Sequence, residues 1–140
     1  MNEADPLGGL IERLKLAVAA VGAVPEEAAG ITAPLLKLNI QDIMGTSALL
    51  DLAPSTQEER VRLGYTPNDP LVRSGGLRDS IQSAAVGPVA MAGSDDPIAE
   101  WQELGTATIP PRPAMAMGLQ ETTFEAVEIA HEMVKTALKA

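Results

Sequence analysis

Only three aromatic residues, Tyr65, Trp101 and Phe124, can contribute to the interior of this 140-residue chain. Hydrophobic residues nevertheless make up 46% of the sequence, so the core must consist of Leu, Ile, Val, Met and a large share of Ala. Small side chains bring neighbouring backbones close together and bury less apolar area per residue than aromatic ones. We therefore expect one domain that is marginally stable as a monomer and gains stability from neighbours.

The charge balance excludes one common function. Ten basic residues face nineteen acidic ones, for a formal net charge of −9, and no basic run exists that could grip a phosphate backbone. The chain has no cysteine, which excludes disulfides and thiolate metal sites. Its first residues lack a signal-peptide pattern, and no apolar run approaches the roughly 18 residues that a membrane span needs. We expect a soluble chain that is made in the cytoplasm, without membrane or specific nucleic-acid binding.

The N-terminal third, residues 1–45, reads as helical. Asp5-Pro6 provides an N-cap followed by proline at the first helical position, and we expect this first helix to end at Gly22. A second helix is predicted from Pro25 to Gly45, with a kink or break at Pro34. In the first helix, apolar residues recur at steps of three and four, namely Leu7, Leu10, Ile11, Leu14, Val18 and Val21.

A long loop is predicted from Thr46 to Ser74, with one short helix that Ser55 or Thr56 caps and Gly64 closes. Loops of this length in a small domain are uncommon unless they have a function. We therefore expect the loop to reach a neighbouring subunit.

The remainder, residues 75–140, is predicted to form a hairpin across Gly87-Pro88 and a short helix from Asp95-Asp96-Pro97 to Gly105. The proline segment, Ile109–Pro113, holds three prolines and should be extended, stiff and exposed at an edge. A last amphipathic helix carries a polar stripe of four acids followed by two lysines. Its predicted apolar face consists of Phe124, Val127, Ala130, Val134 and Leu138.

No residue pattern indicates catalysis or a cofactor. His131 is the only histidine, and its acidic neighbours supply too few metal ligands. Ser74 precedes two glycines but has no base near it in the sequence, so we interpret it as a helix N-cap. Asp95-Asp96 lacks the fixed loop pattern of a cation site. We expect no catalytic, cofactor-binding or metal-binding residues.

Four residues are candidates for an interface with another subunit. Trp101 has the residue type that dominates binding hot spots, although it could equally be the main filler of the core. Arg112 lies between two prolines, which suits a bidentate contact with a partner carboxylate; a local salt bridge is the alternative. Arg73 and Arg78 flank Gly75-Gly76 and could also reach across a subunit boundary, or remain solvated surface charges.

A series of short motifs recurs in a characteristic order along the chain. The order runs through Pro54-Ser55-Thr56 with Arg60 and Arg62, then PLVRSGGLRDSI at 70–81, Val89–Gly93, Leu104-Gly105-Thr106 and Ile109–Pro113. In this order and spacing the chain resembles the tail-completion, or virion morphogenesis, proteins of tailed bacteriophages. Two departures are the absence of Trp near residues 50–52 and Ala114 where a bulky aromatic usually follows.

The resemblance implies an α+β fold, with a small antiparallel sheet on which the N-terminal helices and the C-terminal helix pack. It also implies a structural, non-enzymatic role in the virion, at the neck or upper tail, after assembly in the host cytoplasm. The partners would be further copies in a ring of about six or twelve subunits, and adjoining neck, connector or tail proteins, with DNA passing through the lumen. Alternatives are a head-closure adaptor, a tail terminator or, in another class, a small metal-dependent hydrolase.

Overall fold

The computed structural model describes residues 6–139, with side chains from Leu7 onward. Five helices and one β-hairpin follow each other as α1 (Pro6–Ile43), α2 (Pro54–Arg62), α3 (Gly76–Asp79), β1 (Gln82–Val86), β2 (Val89–Gly93), α4 (Pro97–Leu104) and α5 (Ala114–Lys139). The long helices α1 and α5 pack side by side, and the hairpin packs on α1. The α+β fold that the sequence predicts is thereby confirmed.

The N-terminal third is one helix of 38 residues, so the predicted end at Gly22 is wrong. Pro25 and Pro34 both lie inside α1, and both are exposed, so the backbone groups that they leave unpaired face the solvent side. A proline costs an internal hydrogen bond, but the packing of α1 along α5 continues past both positions and outweighs it. The predicted end at Gly45 is close, because α1 ends at Ile43 and Gly45 adopts φ +82°.

The two long helices run antiparallel and approach each other closely. Asn39 Nδ2 donates to Thr122 Oγ1 at 2.9 Å, and a Cβ on Gly118 would lie 2.6 Å from Ile40 Cγ1. The face of α5 that is buried therefore carries small residues, Ala114, Gly118 and Thr122. The predicted apolar face of α5 is not the face that packs on α1, because near Gly118 the gap admits only small side chains; Phe124, Val127 and Leu138 are exposed.

The hairpin forms where the sequence predicts it. β1 and β2 pair antiparallel, from Gln82 opposite Gly93 to Val86 opposite Val89, and Gly87 supplies a positive φ in the turn. Two strands alone are marginally stable in water. Both strands lie on α1, which therefore supplies the apolar surface that the hairpin needs.

The core lies where α1, the hairpin and the start of α5 meet. It contains aliphatic residues and methionine only, as the composition indicates: Leu36, Ile40, Ile43, Met44, Leu49, Leu71, Ile81 and Ala114. Ile81 and Ile40 are the most completely buried of these. None of the three aromatic residues belongs to this cluster, so its density depends on close backbone packing.

Candidate assembly surfaces

Arg112 is a buried clamp. Its side chain is 5% exposed, with Nε donating to the Leu50 carbonyl and an Nη atom donating to the Asp51 carbonyl, both at 2.7 Å. The guanidinium thus makes a bidentate contact, but with backbone carbonyls of its own chain. This corrects the prediction that Arg112 meets a partner carboxylate, and a local salt bridge is not what holds it either.

Arg60 is a second buried clamp, which the sequence did not single out as such. It donates from one Nη atom to the carbonyls of Asp69 and Val72, at 2.9 and 3.2 Å. Burial lowers the pKa of Arg60, with Arg73 and Arg112 adding to the effect and Asp69 opposing it. The sequence of the nine-residue helix α2 does not indicate that Arg60 is buried. Its burial becomes evident only from its contacts with the backbone of residues 69–72.

These two clamps hold the long loop against its own subunit. Asn68 adds a third connection, because it accepts from the Leu52 amide and donates to Asp51 Oδ1. The helix α2 begins at Pro54 without a side-chain cap, so the predicted caps Ser55 and Thr56 are wrong. Hydrogen bonds therefore hold the loop against its own subunit, and only its outer surface is open to a partner.

The segment between α4 and α5 is held in place by contacts of Gly105, Thr106 and Glu103. Gly105 has φ +76°, and a Cβ there would lie 2.9 Å from the Ile109 carbonyl oxygen. The Thr106 hydroxyl accepts from the amides of Thr108 and Ile109. Glu103 accepts from the Met115 and Ala116 amides, at 3.0 and 2.8 Å, and so caps the N-terminus of α5.

The Ile109–Pro113 segment between these anchors has no helix or strand. Pro110 and Pro111 are exposed, as predicted, whereas Arg112 turns inward.

Arg73 lies beside a groove of about 520 Å³ that Tyr65, Leu71 and Gln102 also line. Its guanidinium carbon is 5.1 Å from the centre of the Tyr65 ring, in cation–π geometry. Leu71, which also lines the groove, has φ +67°, a strained conformation for a bulky side chain. Arg73 is exposed. This position agrees both with a role at an interface and with a solvated surface charge.

Trp101 and Arg78 also lie at the surface. Trp101 is 51% exposed, and its neighbours on α4, Ile98 and Leu104, are exposed as well. The prediction that Trp101 fills the core is therefore wrong, and its role at an interface stays a prediction. Arg78 is exposed, and its carbonyl accepts from Gln41 Nε2 at 2.9 Å. The four candidates thus divide into three surface residues and one internal clamp.

An apolar surface on α1 was not among the candidates. One stripe of α1 proceeds by steps of three and four from the N-terminal end to the core, through Leu10, Leu14, Val18, Val21, Val24, Ala28, Thr32, Leu36, Ile40 and Ile43. Beside α5 the stripe is buried, and Val24 is 5% exposed; beyond α5 the same stripe is open, and Leu14 is 56% exposed. We call residues 7–18 of α1 the overhang. Its length is about 18 Å.

A second apolar surface lies on α5. We call Phe124, Val127, Val134 and Leu138 the outer stripe; the first two and Leu138 are exposed, and Val134 is half-buried. Near its N-terminal end, Val127 borders an apolar groove of about 330 Å³ that Thr32, Leu36 and Ala90 also line. The sequence identifies this stripe as apolar but places it on the wrong side of the helix.

The polar residues considered for chemistry occupy other positions. Asp96 Oδ1 accepts from the Ile98 amide and caps α4, as predicted. Ser74 is not the N-cap of α3, which is Gly75. His131 is exposed on α5. Across residues 6–139, His, Asp and Glu side chains nowhere gather in threes suited to a metal ion.

No family model, curated protein or solved structure matches this chain. In the part of the chain that the structure describes, no helix combines the length and apolar character of a bilayer-spanning segment.

Proposed function

We propose that this protein is a structural subunit of a tailed-phage virion, which assembles into a closed ring at the neck or upper tail. The ring would contain about six or twelve copies and would complete the tail or join it to the head. The function would consist of docking, without catalysis. The order of the motifs at 54–81 and 104–113, which resembles that of tail-completion proteins, supports the virion part of the proposal.

The observation that carries the assembly part is the open continuation of the core stripe. The apolar stripe of α1 is buried from Val24 to Ile43 and exposed from Leu10 to Val18. The overhang continues a helix of 38 residues that is packed over the rest of its length, and an apolar helix face gains stability when another surface covers it. A subunit with this overhang is therefore completed by a neighbour.

The internally bonded residues of the loop, α4 and the start of α5 support an assembly role in a second way. Arg60, Glu103 and Arg112 fix the loop, α4 and the start of α5 as one unit through contacts with backbone groups. This leaves Trp101 and Arg73 on a firm surface, as docking between rings requires. The net charge of −9 suits a lumen that repels the DNA backbone and lets it slide.

The test is the mass of the purified protein, measured by light scattering behind a sizing column, together with negative-stain images of the same fraction. The proposal predicts a mass near six or twelve subunits and closed rings with a central opening. A mass of one subunit that does not increase with protein concentration would contradict self-assembly.

A further inference from the structure

We infer that the overhang of one copy packs lengthwise on the outer stripe of the next copy. The partner is thus a second copy of this chain, and each subunit uses two different surfaces. This inference rests on the proposed assembly function and names the interface that would produce it.

Both surfaces carry apolar residues at helical spacing. Leu10, Leu14 and Val18 follow each other at steps of four along the overhang. Phe124, Val127, Val134 and Leu138 follow each other at steps of three, seven and four over about 21 Å of α5, so the outer stripe is long enough to receive the overhang. Rows of side chains at such steps form the ridges and grooves of helix–helix packing.

The charges favour this pairing over pairing of like surfaces. The overhang carries two cations, Arg13 and Lys15, against Glu12, which already accepts from Lys15 at 2.9 Å. The helix α5 carries four glutamates, Glu121, Glu125, Glu128 and Glu132, and two lysines, Lys135 and Lys139, which gives it a net charge of −2. Two α5 helices would both be negative and two overhangs would both be positive, whereas an overhang and α5 attract each other.

Arg13 has no ion-pair partner between residues 6 and 139, and neither do Glu121 and Glu128. The unpaired acids Glu121 and Glu128 both precede Glu132, which pairs with Lys135, and Lys139 lies at the end of α5. The overhang therefore sits along the part of α5 between Glu121 and Glu128, with Leu14 against Val127.

The geometry requires that such a contact joins two different chains. Within one chain Val127 lies beside Thr32, about 27 Å along α1 from Leu14, so the overhang cannot reach its own outer stripe. A contact between two different surfaces is head-to-tail, and head-to-tail contacts form rings when the rotation closes.

The chain contains no cysteine, so engineered cysteines give an unambiguous test. We would prepare Leu14→Cys, Val127→Cys and the double variant, and oxidise each at a concentration where the wild type is assembled. A disulfide forms only when the two Cα atoms come within about 7 Å, and a short bifunctional maleimide serves as a second cross-linker that tolerates small shifts. The control is Leu16→Cys with Val127→Cys, because Leu16 lies on the opposite face of α1 and is exposed.

The expected result is a ladder of multimers on a denaturing gel for the Leu14/Val127 double variant, and single chains for each single variant and for the Leu16 control. Dimers of Leu14→Cys alone would overturn the inference in favour of overhang against overhang. Single chains for the double variant with both cross-linkers, in a protein whose native mass is multimeric, would overturn the inference and leave the proposed function standing. A native mass of one chain would overturn both.

Discussion

The two ends of this molecule differ in how far contacts within the chain satisfy their side chains. At the end that contains the loop, α4 and the hairpin, polar groups are satisfied internally, and two buried arginines hold backbone carbonyls. At the other end α1 continues past α5, and large aliphatic side chains are exposed. The buried polar groups of the first end already have partners within one chain, and its exposed apolar side chains are those of Ile98, Trp101 and Leu104 on α4 and single residues of the hairpin and loop. At the second end the apolar side chains of Leu10, Leu14 and Val18 are exposed, and we propose that a second copy covers them.

Substitutions at the two ends should therefore have different effects on subunit stability and on assembly. Changes at the clamped end should destabilise each subunit, whether or not it assembles. Changes at the overhang should spare the subunit and remove assembly. The following variants test the two halves of this statement, beginning with the largest expected effect on folding.

The largest effect is expected for Arg112→Leu, which removes both donors from the Leu50 and Asp51 carbonyls. Hydrogen bonds to charged groups contribute about 1.5–3 kcal/mol each, and the carbonyls would remain without their donors. We expect the free energy of unfolding to fall by about 3 kcal/mol, measured by urea denaturation followed by circular dichroism. The matched control is Arg62→Leu, whose side chain is 76% exposed; it should change stability by no more than about 0.5 kcal/mol. Equal effects of the two variants would show that Arg112 contributes no more to stability than an exposed arginine does.

Gly118→Ala tests the close approach of α1 and α5. The added Cβ would lie 2.6 Å from Ile40 Cγ1 and 2.9 Å from the Ile40 amide nitrogen, so a helix has to shift. Overpacking of this kind costs about 1–3 kcal/mol. Gly30→Ala is the control, because nothing lies within 4 Å of its Cβ position, and there alanine should stabilise the helix by up to about 1 kcal/mol. A stabilising Gly118→Ala in the same denaturation assay would contradict the packing described here.

Glu103→Ala tests the connection between α4 and α5. The carboxylate accepts from two amides at the start of α5, and loss of such a cap costs about 1 kcal/mol. Glu100→Ala, on the same helix but exposed, should have a smaller effect. Thermal unfolding of both variants measures the difference; indistinguishable midpoints would show that the cap contributes nothing.

The smallest effect on the isolated subunit is expected for the double variant Leu10→Glu with Leu14→Glu. Both side chains are already exposed, so in dilute solution the free energy of unfolding should stay within about 0.5 kcal/mol of the wild type. The wild type should gain stability with concentration because assembly favours the folded state, and the variant should not. A variant that unfolds more easily even when dilute would mean that the overhang is part of the monomer's own core.

The sequence predicts the elements better than their contacts. The hairpin at Gly87-Pro88 and the Asp96 cap follow from local rules, because their residues act on backbone within a few positions. The continuity of α1 through Pro25 and Pro34 does not, because it depends on packing against a helix about a hundred residues away. The face that α5 buries was missed for the same reason: Gly118 opposite Ile40 sets the distance between the helices, and only then do the large residues fall on the outside.

The candidate assembly surfaces likewise combine features that the local sequence predicts with contacts that it does not predict. The sequence indicates that Arg112 is held stiffly, since prolines flank it, but which carbonyls it contacts depends on a loop that lies some sixty residues earlier. The open overhang could have been recognised from the sequence, because one stripe runs unbroken through Leu14, Val24 and Ile40. Reading this region as two helices concealed that stripe.

The most direct test of the central claim is the solution mass of the wild type beside that of the Leu10→Glu/Leu14→Glu variant, by sedimentation velocity over a range of concentrations. Leu16→Glu, on the opposite face of the overhang, is the control. We predict a multimeric mass for the wild type and the control, and the single-chain mass of 14.6 kDa for the double variant. A double variant that assembles as the wild type does would contradict the claim that the overhang joins the subunits.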